Sequence, residues 1–157
     1  MTEPLSIAQT DPACFAPGDI IEISTTRGLA YLQVTHLHSA YPEIVRALPG
    51  LHARRPDNLD LLVLLPTRFI VITPLAAGIR DRHLTGTLIG NWSIPNSDRA
   101  FPQFRTPIRT PDGQVLYWWQ WDGDTLRHMT TSDPTSDLPI REVVHPEHLL
   151  VRLVDDL

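Results

Sequence analysis

Proline interrupts this chain about once every ten residues, fifteen times in 157. A proline inside a helix removes an i to i−4 hydrogen bond and its ring clashes with the preceding turn, so few windows are left long enough for a three-turn helix. Strands of four to eight residues fit between such breaks. The chain is therefore expected to be mainly β, α+β at the margin. The form expected is a small, partly open SH3-like barrel or a strongly twisted antiparallel sheet with one or two short helices.

The strand signals follow the prolines. After Ala16-Pro17-Gly18, the β-branched run Asp19–Ser24 and the run Gly28–His36 flank Thr25-Thr26-Arg27-Gly28, which has the length and glycine of a hairpin loop. Alternation puts Leu32, Val34 and His36 on one face of the second strand and Tyr31, Gln33 and Thr35 on the other, with the Leu32/Val34 face expected to point inward. A third strand is expected over Tyr41–Leu48, and a short helix within Pro56–Leu65, where Asp57 or Asn58 stands as N-cap before an apolar run. Arg68–Thr73 reads as a buried strand. Leu84–Ile94 is a weaker one whose Gly86 and Gly90 suggest a bulge or a close backbone approach. Phe101–Pro107 is bounded by prolines as a loop or edge segment. Val115–Trp121 and Thr125–Met129, joined through Asp122-Gly123, form the clearest hairpin. A last apolar run, His148–Val154, can pack against the rest. Residues 1–14 are expected to be a flexible tail and 15–157 a single β-rich domain, a size that can close one core without disulfides.

Composition narrows the function classes. The net charge is −5, which weakens any case for nucleic-acid binding, because that mode draws its affinity from clustered cations on phosphates. A basic protein partner suits the charge better. All thirteen cationic side chains are arginine, so lysine nucleophiles and phosphate-loop lysines are excluded. Cys14 is the one cysteine and can form no internal disulfide. The longest apolar stretch is too short to span a bilayer, and the first residues carry Glu3 and Asp11 where a secretory leader has basic residues. A cytoplasmic protein with no membrane partner is expected.

No sequence signature for catalysis stands out. The elbow G-x-S-x-G and both glycine-rich phosphate loops are missing. No catalytic residue and no cofactor are assigned. His36-x-His38 supplies half of a metal site at most, so no metal is assigned either, and His36, Gln33 and Tyr31 are expected to be structural polar residues. The segment Tyr117-Trp118-Trp119-Gln120-Trp121 is the most unusual. One of its faces can be core while the other presents aromatic surface, and aromatics dominate interface hot spots. Tyr117, Trp119 and Trp121, with Asp122, Asp124 and Arg105, are the candidate partner-binding residues. A small-molecule pocket lined by Trp119, Trp121 and Tyr31 is a further possibility.

The order Pro17-Gly18-Asp19-Ile20-Ile21-Glu22-Ile23, Arg27–His36 and Arg46-x-Leu48-Pro49-Gly50 resembles bacterial proteins of the immunity protein 26 family. Arg68-Phe69, Phe101-Pro102-Gln103-Phe104-Arg105, Trp118-Trp119-x-Trp121-Asp122-Gly123 and Leu138-Pro139-Ile140-Arg141 extend the resemblance over most of the chain. It implies a protein that binds and blocks a toxin and brings no catalytic residues. The Gly18-Asp19-Ile20 opening also looks like the start of SH3-like barrels, among them ribonuclease toxins. That likeness implies an alternative, a nuclease or nucleic-acid-binding module with His36, Arg105 and Thr35 as its candidates.

Overall fold

The protein is described by a computed structural model over residues 15–129 and 137–155; the expected tail 1–14, with Cys14, and Asp156 lie outside the described residues. The chain is mainly β, with eight strands in two antiparallel sheets and three α-helices among the described residues. Neither sheet closes into a barrel, so the twisted-sheet form of the expectation holds. Contacts divide the chain into two compact units, Met1–Pro95 with Val143–Leu157, and Asn96–Glu142.

The first unit is built on strands β1 (Asp19–Thr25), β2 (Gly28–His38), β3 (Tyr41–Ala47), β4 (Phe69–Ile72) and β5 (Gly86–Asn91), in the order β4-β3-β2-β1-β5. Its helices are α1 (Leu59–Val63), α2 (Leu75–Arg80) and α3 (Pro146–Asp155). The opening hairpin forms with Ile21 opposite Leu32 and Ile23 opposite Ala30. Period-two alternation then puts Ile21, Ile23, Leu32, Val34, Val45 and Ala47 into one apolar cluster, which Leu75 of α2 and Leu149 and Leu153 of α3 complete. The spacing Pro146, Leu149, Leu153 is a helical stripe, and proline is well tolerated at the first helical position, so the apolar run at the end of the chain becomes a helix.

The face of β2 expected to point outward is also buried. Tyr31, Gln33 and Thr35 are all covered, and Ile20, Tyr31 and Leu48 pack with Leu59, Leu62 and Val63 of α1 in a second apolar cluster. Alternation identifies two faces, but it does not say whether a helix from elsewhere in the chain will cover the second. Asn58 is the N-cap of α1 by position, with no hydrogen bond from its side chain. Helix α2, with Pro74 as its N-cap residue, is not among the expected elements, because a six-residue segment with an internal glycine carries no helical periodicity. In β5 the pairing with β1 shifts register between Ile20 and Ile21, opposite Gly90 and Leu88, so a bulge forms beside the predicted glycine.

The second unit holds β6 (Phe104–Arg109), β7 (Val115–Trp121) and β8 (Leu126–His128), in the order β6-β7-β8. The proline-bounded segment resolves into an edge strand whose Pro107 lies opposite Trp118. Proline is tolerated there because, among the described residues, the outer side of β6 is paired only by a single bridge at Arg105, which asks no N–H of Pro107. On the outer side of β6 the chain returns at Ile140, where Arg105 N–H donates to Pro139 O at 2.9 Å and Arg141 N–H donates to Arg105 O at 2.8 Å. Among the described residues, no helix is long and apolar enough to cross a membrane.

Candidate functional site

The three-stranded sheet gathers most of the residues singled out in the sequence. Register puts Phe104, Thr106 and Ile108 opposite Trp121, Trp119 and Tyr117 on one face, with Leu126 and His128 beyond. The other face carries Arg105, Pro107, Arg109, Trp118, Gln120 and Arg127, and the pairing shifts register between Ile108 and Arg109, where Val115 lies opposite Arg109.

The first face changes character along its length. Trp121 is 5 % exposed and closes an aromatic cluster with Phe101 and Phe104, ring centroids 5.5 and 5.7 Å away, while the Arg141 guanidinium lies 5.2 Å from its ring. Gly123, in the following turn, has φ +97°, and a Cβ there would fall 2.7 Å from Phe101, so the turn admits no side chain. Trp119 is half-buried against His128 at 5.7 Å. Tyr117 lies 4.9 Å from His128 and is 39 % exposed. Val115 and Leu116 are 40 and 62 % exposed. Of the three aromatics predicted to bind a partner, Trp121 is therefore core, Trp119 is half-covered and Tyr117 is open.

The second face is cationic. The Arg105 guanidinium stacks 4.3 Å from the Trp118 ring centroid. Arg127 donates to the Gln120 side-chain oxygen, and Gln120 donates to Gln103. The Nε of Arg105 and the hydroxyl of Thr106 are buried without a hydrogen-bond partner among the described residues. Asp122, predicted as a binding acid, is employed in its own hairpin: its Oδ1 accepts from Thr125 N–H at 2.8 Å and Asp124 N–H at 3.0 Å. Those two amides, Thr125 first, hold its carboxyl below the usual aspartate range. Asp124 is exposed at the same turn.

The residues expected to be structural and polar lie in the five-stranded sheet. Gln33 is fully buried, donates to Trp92 O at 2.9 Å and Gly18 O at 3.3 Å, and accepts from Arg46 Nε at 2.8 Å. Arg46 is also fully buried and extends the network to Val63 O at 2.6 Å and Thr67 Oγ1 at 3.1 Å. Sequence reasoning missed this arginine as a buried anchor; its place opposite Gln33 in the alternation of β3 was the available signal. Tyr31 donates its O–H to Glu22 Oε2 at 2.6 Å, and Arg55 reaches the same carboxylate at 2.8 and 3.2 Å. Arg55 first and Tyr31 with it lower the Glu22 carboxyl against the opposing cost of burial, while burial and then Glu22 push the Tyr31 phenol up. His36 Nδ1 lies 2.9 Å from Thr35 Oγ1, and His38 Nδ1 accepts from Ala40 N–H at 3.0 Å. Register shifts on both sides of His36 separate the pair from a regular strand face. Among the described residues no three His, Cys, Asp or Glu side chains converge as a metal-binding group.

One open cleft of about 430 Å³ is lined by Ser24, Thr25 and Thr26 with Leu150, Val151, Val154 and Asp155. Comparison of the chain with protein-family models, curated proteins and solved structures finds no match in any of the three.

Proposed function

We propose that this chain is a non-catalytic protein-binding domain, an immunity protein that binds and blocks a basic toxin. The observation that carries the reading is the first half of β7, where Val115, Leu116 and Tyr117 are exposed in succession and so expose apolar surface on both faces of one strand. Isolated exposed apolar residues are ordinary, but a contiguous group next to a rigid aromatic cluster has the make-up of an interface core. Trp121, Phe101 and Phe104 hold the strand in place, which lowers the ordering cost of binding. The net charge of −5 steers a cationic partner, and the resemblance to toxin-immunity proteins points the same way.

The test is capture from the native host with the full chain as bait, followed by co-expression of the captured protein. A captured protein that arrests growth alone, and is silenced by this chain but not by the Val115→Asp/Tyr117→Asp double variant, supports the reading. Loss of a central aromatic anchor costs about 2 kcal/mol, roughly thirtyfold in affinity. Recovery of nucleic acid alone, or of a protein with no effect on growth, contradicts it.

A further inference from the structure

We infer that the turn end of the β6–β7 hairpin inserts into an apolar-walled cleft of the protein partner, so that the partner contacts both faces of the strand pair. The inference rests on the protein-binding reading and deepens it by naming the shape and chemistry of the partner's site. Residues 111–117 are exposed without a break. Their apolar side chains do not share one face. Tyr117 lies opposite Ile108 on one face, and Val115 lies opposite Arg109 on the other. The pairing shifts register between those two pairs, which leaves Leu116, 62 % exposed, as the extra residue of a bulge. A bulge bends its strand and re-aims the side chain it carries. Three consecutive apolar residues are therefore spread around the strand, where regular alternation would divide them between a covered and a solvated side.

The turn beyond them is closed by its own hydrogen bonds. Thr110 N–H donates to Gln114 O at 2.8 Å, Gly113 N–H donates to Thr110 O at 2.9 Å, and Gln114 N–H donates to Thr110 Oγ1 at 3.0 Å. Gly113 takes φ +94°, and nothing lies within 4 Å of where its Cβ would stand. The charged side chains of the segment are engaged in the same turn: Arg109 Nη1 donates to Gly113 O at 2.9 Å, and the Asp112 carboxylate accepts from the Thr110 hydroxyl. A turn formed in advance loses little conformational entropy on docking. With both charges engaged, Val115, Leu116 and Tyr117 are left to carry the contact. A specific interface buries about 800 Å² on each partner. A flat partner reaches one face of the hairpin end and leaves either Val115 or Tyr117 in water, whereas walls on both sides cover both. Packed sheet layers lie about 10 Å apart, so the cleft that fits has walls about 20 Å apart, main chain to main chain, with the hairpin as the middle layer.

The experiment uses the full chain with a photo-crosslinking side chain, Val115→p-benzoylphenylalanine in one preparation and Tyr117→p-benzoylphenylalanine in another, irradiated in native-host lysate, with the cross-linked peptides read by mass spectrometry. Both positions are expected to join the same protein, at two different segments of its sequence. Binding of that protein to serine variants of the chain is the second readout, free of any bulky probe. Val115→Ser and Tyr117→Ser are each expected to weaken it about tenfold or more with unchanged melting temperature, because each face has its own wall. The dissociation rate is expected to change less than threefold between 100 and 500 mM NaCl. Cross-links from one position only, a loss confined to one serine variant, a dissociation rate that rises tenfold with salt, or no recovered protein overturns the inference. The insertion and the function fail separately. A toxin silenced by this chain but cross-linked from one face alone overturns the insertion and leaves the function standing. A protein cross-linked from both faces that has no effect on growth supports the insertion and contradicts the function.

Discussion

The two sheets treat burial in opposite ways. In the five-stranded sheet, helices cover both faces of the central strands, so that even an arginine and a glutamine, Arg46 and Gln33, are fully enclosed and bonded to each other. In the three-stranded sheet the aromatic cluster closes one end, while Val115, Leu116 and Tyr117 at the other remain in solvent. A sheet sealed on both faces has its polar groups committed to the fold. A sheet sealed at one end leaves apolar side chains in solvent at the other. On the proposed function, the contrast separates the part of the chain that holds itself together from the part that recognises a partner.

The sharpest way to break the contrast is Arg46→Ala. It leaves the Gln33 side-chain oxygen and the Val63 carbonyl buried without their donor and opens a cavity, at a cost of about 3–5 kcal/mol in chemical denaturation. A cost below about 1 kcal/mol would show that water replaces the guanidinium, and that this sheet is less sealed than its burial indicates. Trp121→Ala is next, at about 3 kcal/mol. Native-state hydrogen exchange should then quicken in β6–β8 and leave β1–β4 unchanged, since the ring packs on Phe101 and Phe104.

A smaller effect lies in pH. Glu22 is held below its ordinary carboxyl range by Arg55 and Tyr31, so its contribution is present above the unfolded carboxyl value and is lost as pH falls through the lower folded value. Acid titration of stability should therefore be shallower below about pH 4.3 in Glu22→Gln than in the parent chain. An unchanged acid limb would remove the pair from the account. The smallest effect belongs to the open end: Leu116→Ser and Tyr117→Ser should each change stability by no more than about 0.5 kcal/mol. A larger loss would make these residues part of the fold and withdraw them from recognition.

Much of this architecture is legible in local chemistry. The hairpins at Thr25–Gly28 and Asp122-Gly123 appear where turn residues separate alternating runs, and the strand Val115–Trp121 has the expected bounds. What escaped depends on contacts distant in sequence. Apart from its place opposite Gln33 in the alternation, nothing distinguishes Arg46 from a surface arginine until α1 lies over the Gln33 side of the sheet. Helix α2 is stabilised by packing of Leu75 into the core, which a six-residue window cannot express. At the candidate site, the aromatic segment was visible but its gradient was not. Trp121 is enclosed because Phe101, Phe104 and Arg141 converge on it from outside β7, whereas Tyr117 pairs with Ile108 of β6 and meets His128 of the short edge strand β8. Asp122 looked like a free acid because the sequence does not reveal that its carboxylate caps the amides of its own turn.

The most direct measurement is amide hydrogen exchange of the full chain, alone and with its captured toxin bound. The account predicts new protection concentrated at residues 115–117 and along β6–β8, with β1–β4 unchanged. Protection confined to β1–β4, or none anywhere in the three-stranded sheet, would contradict it.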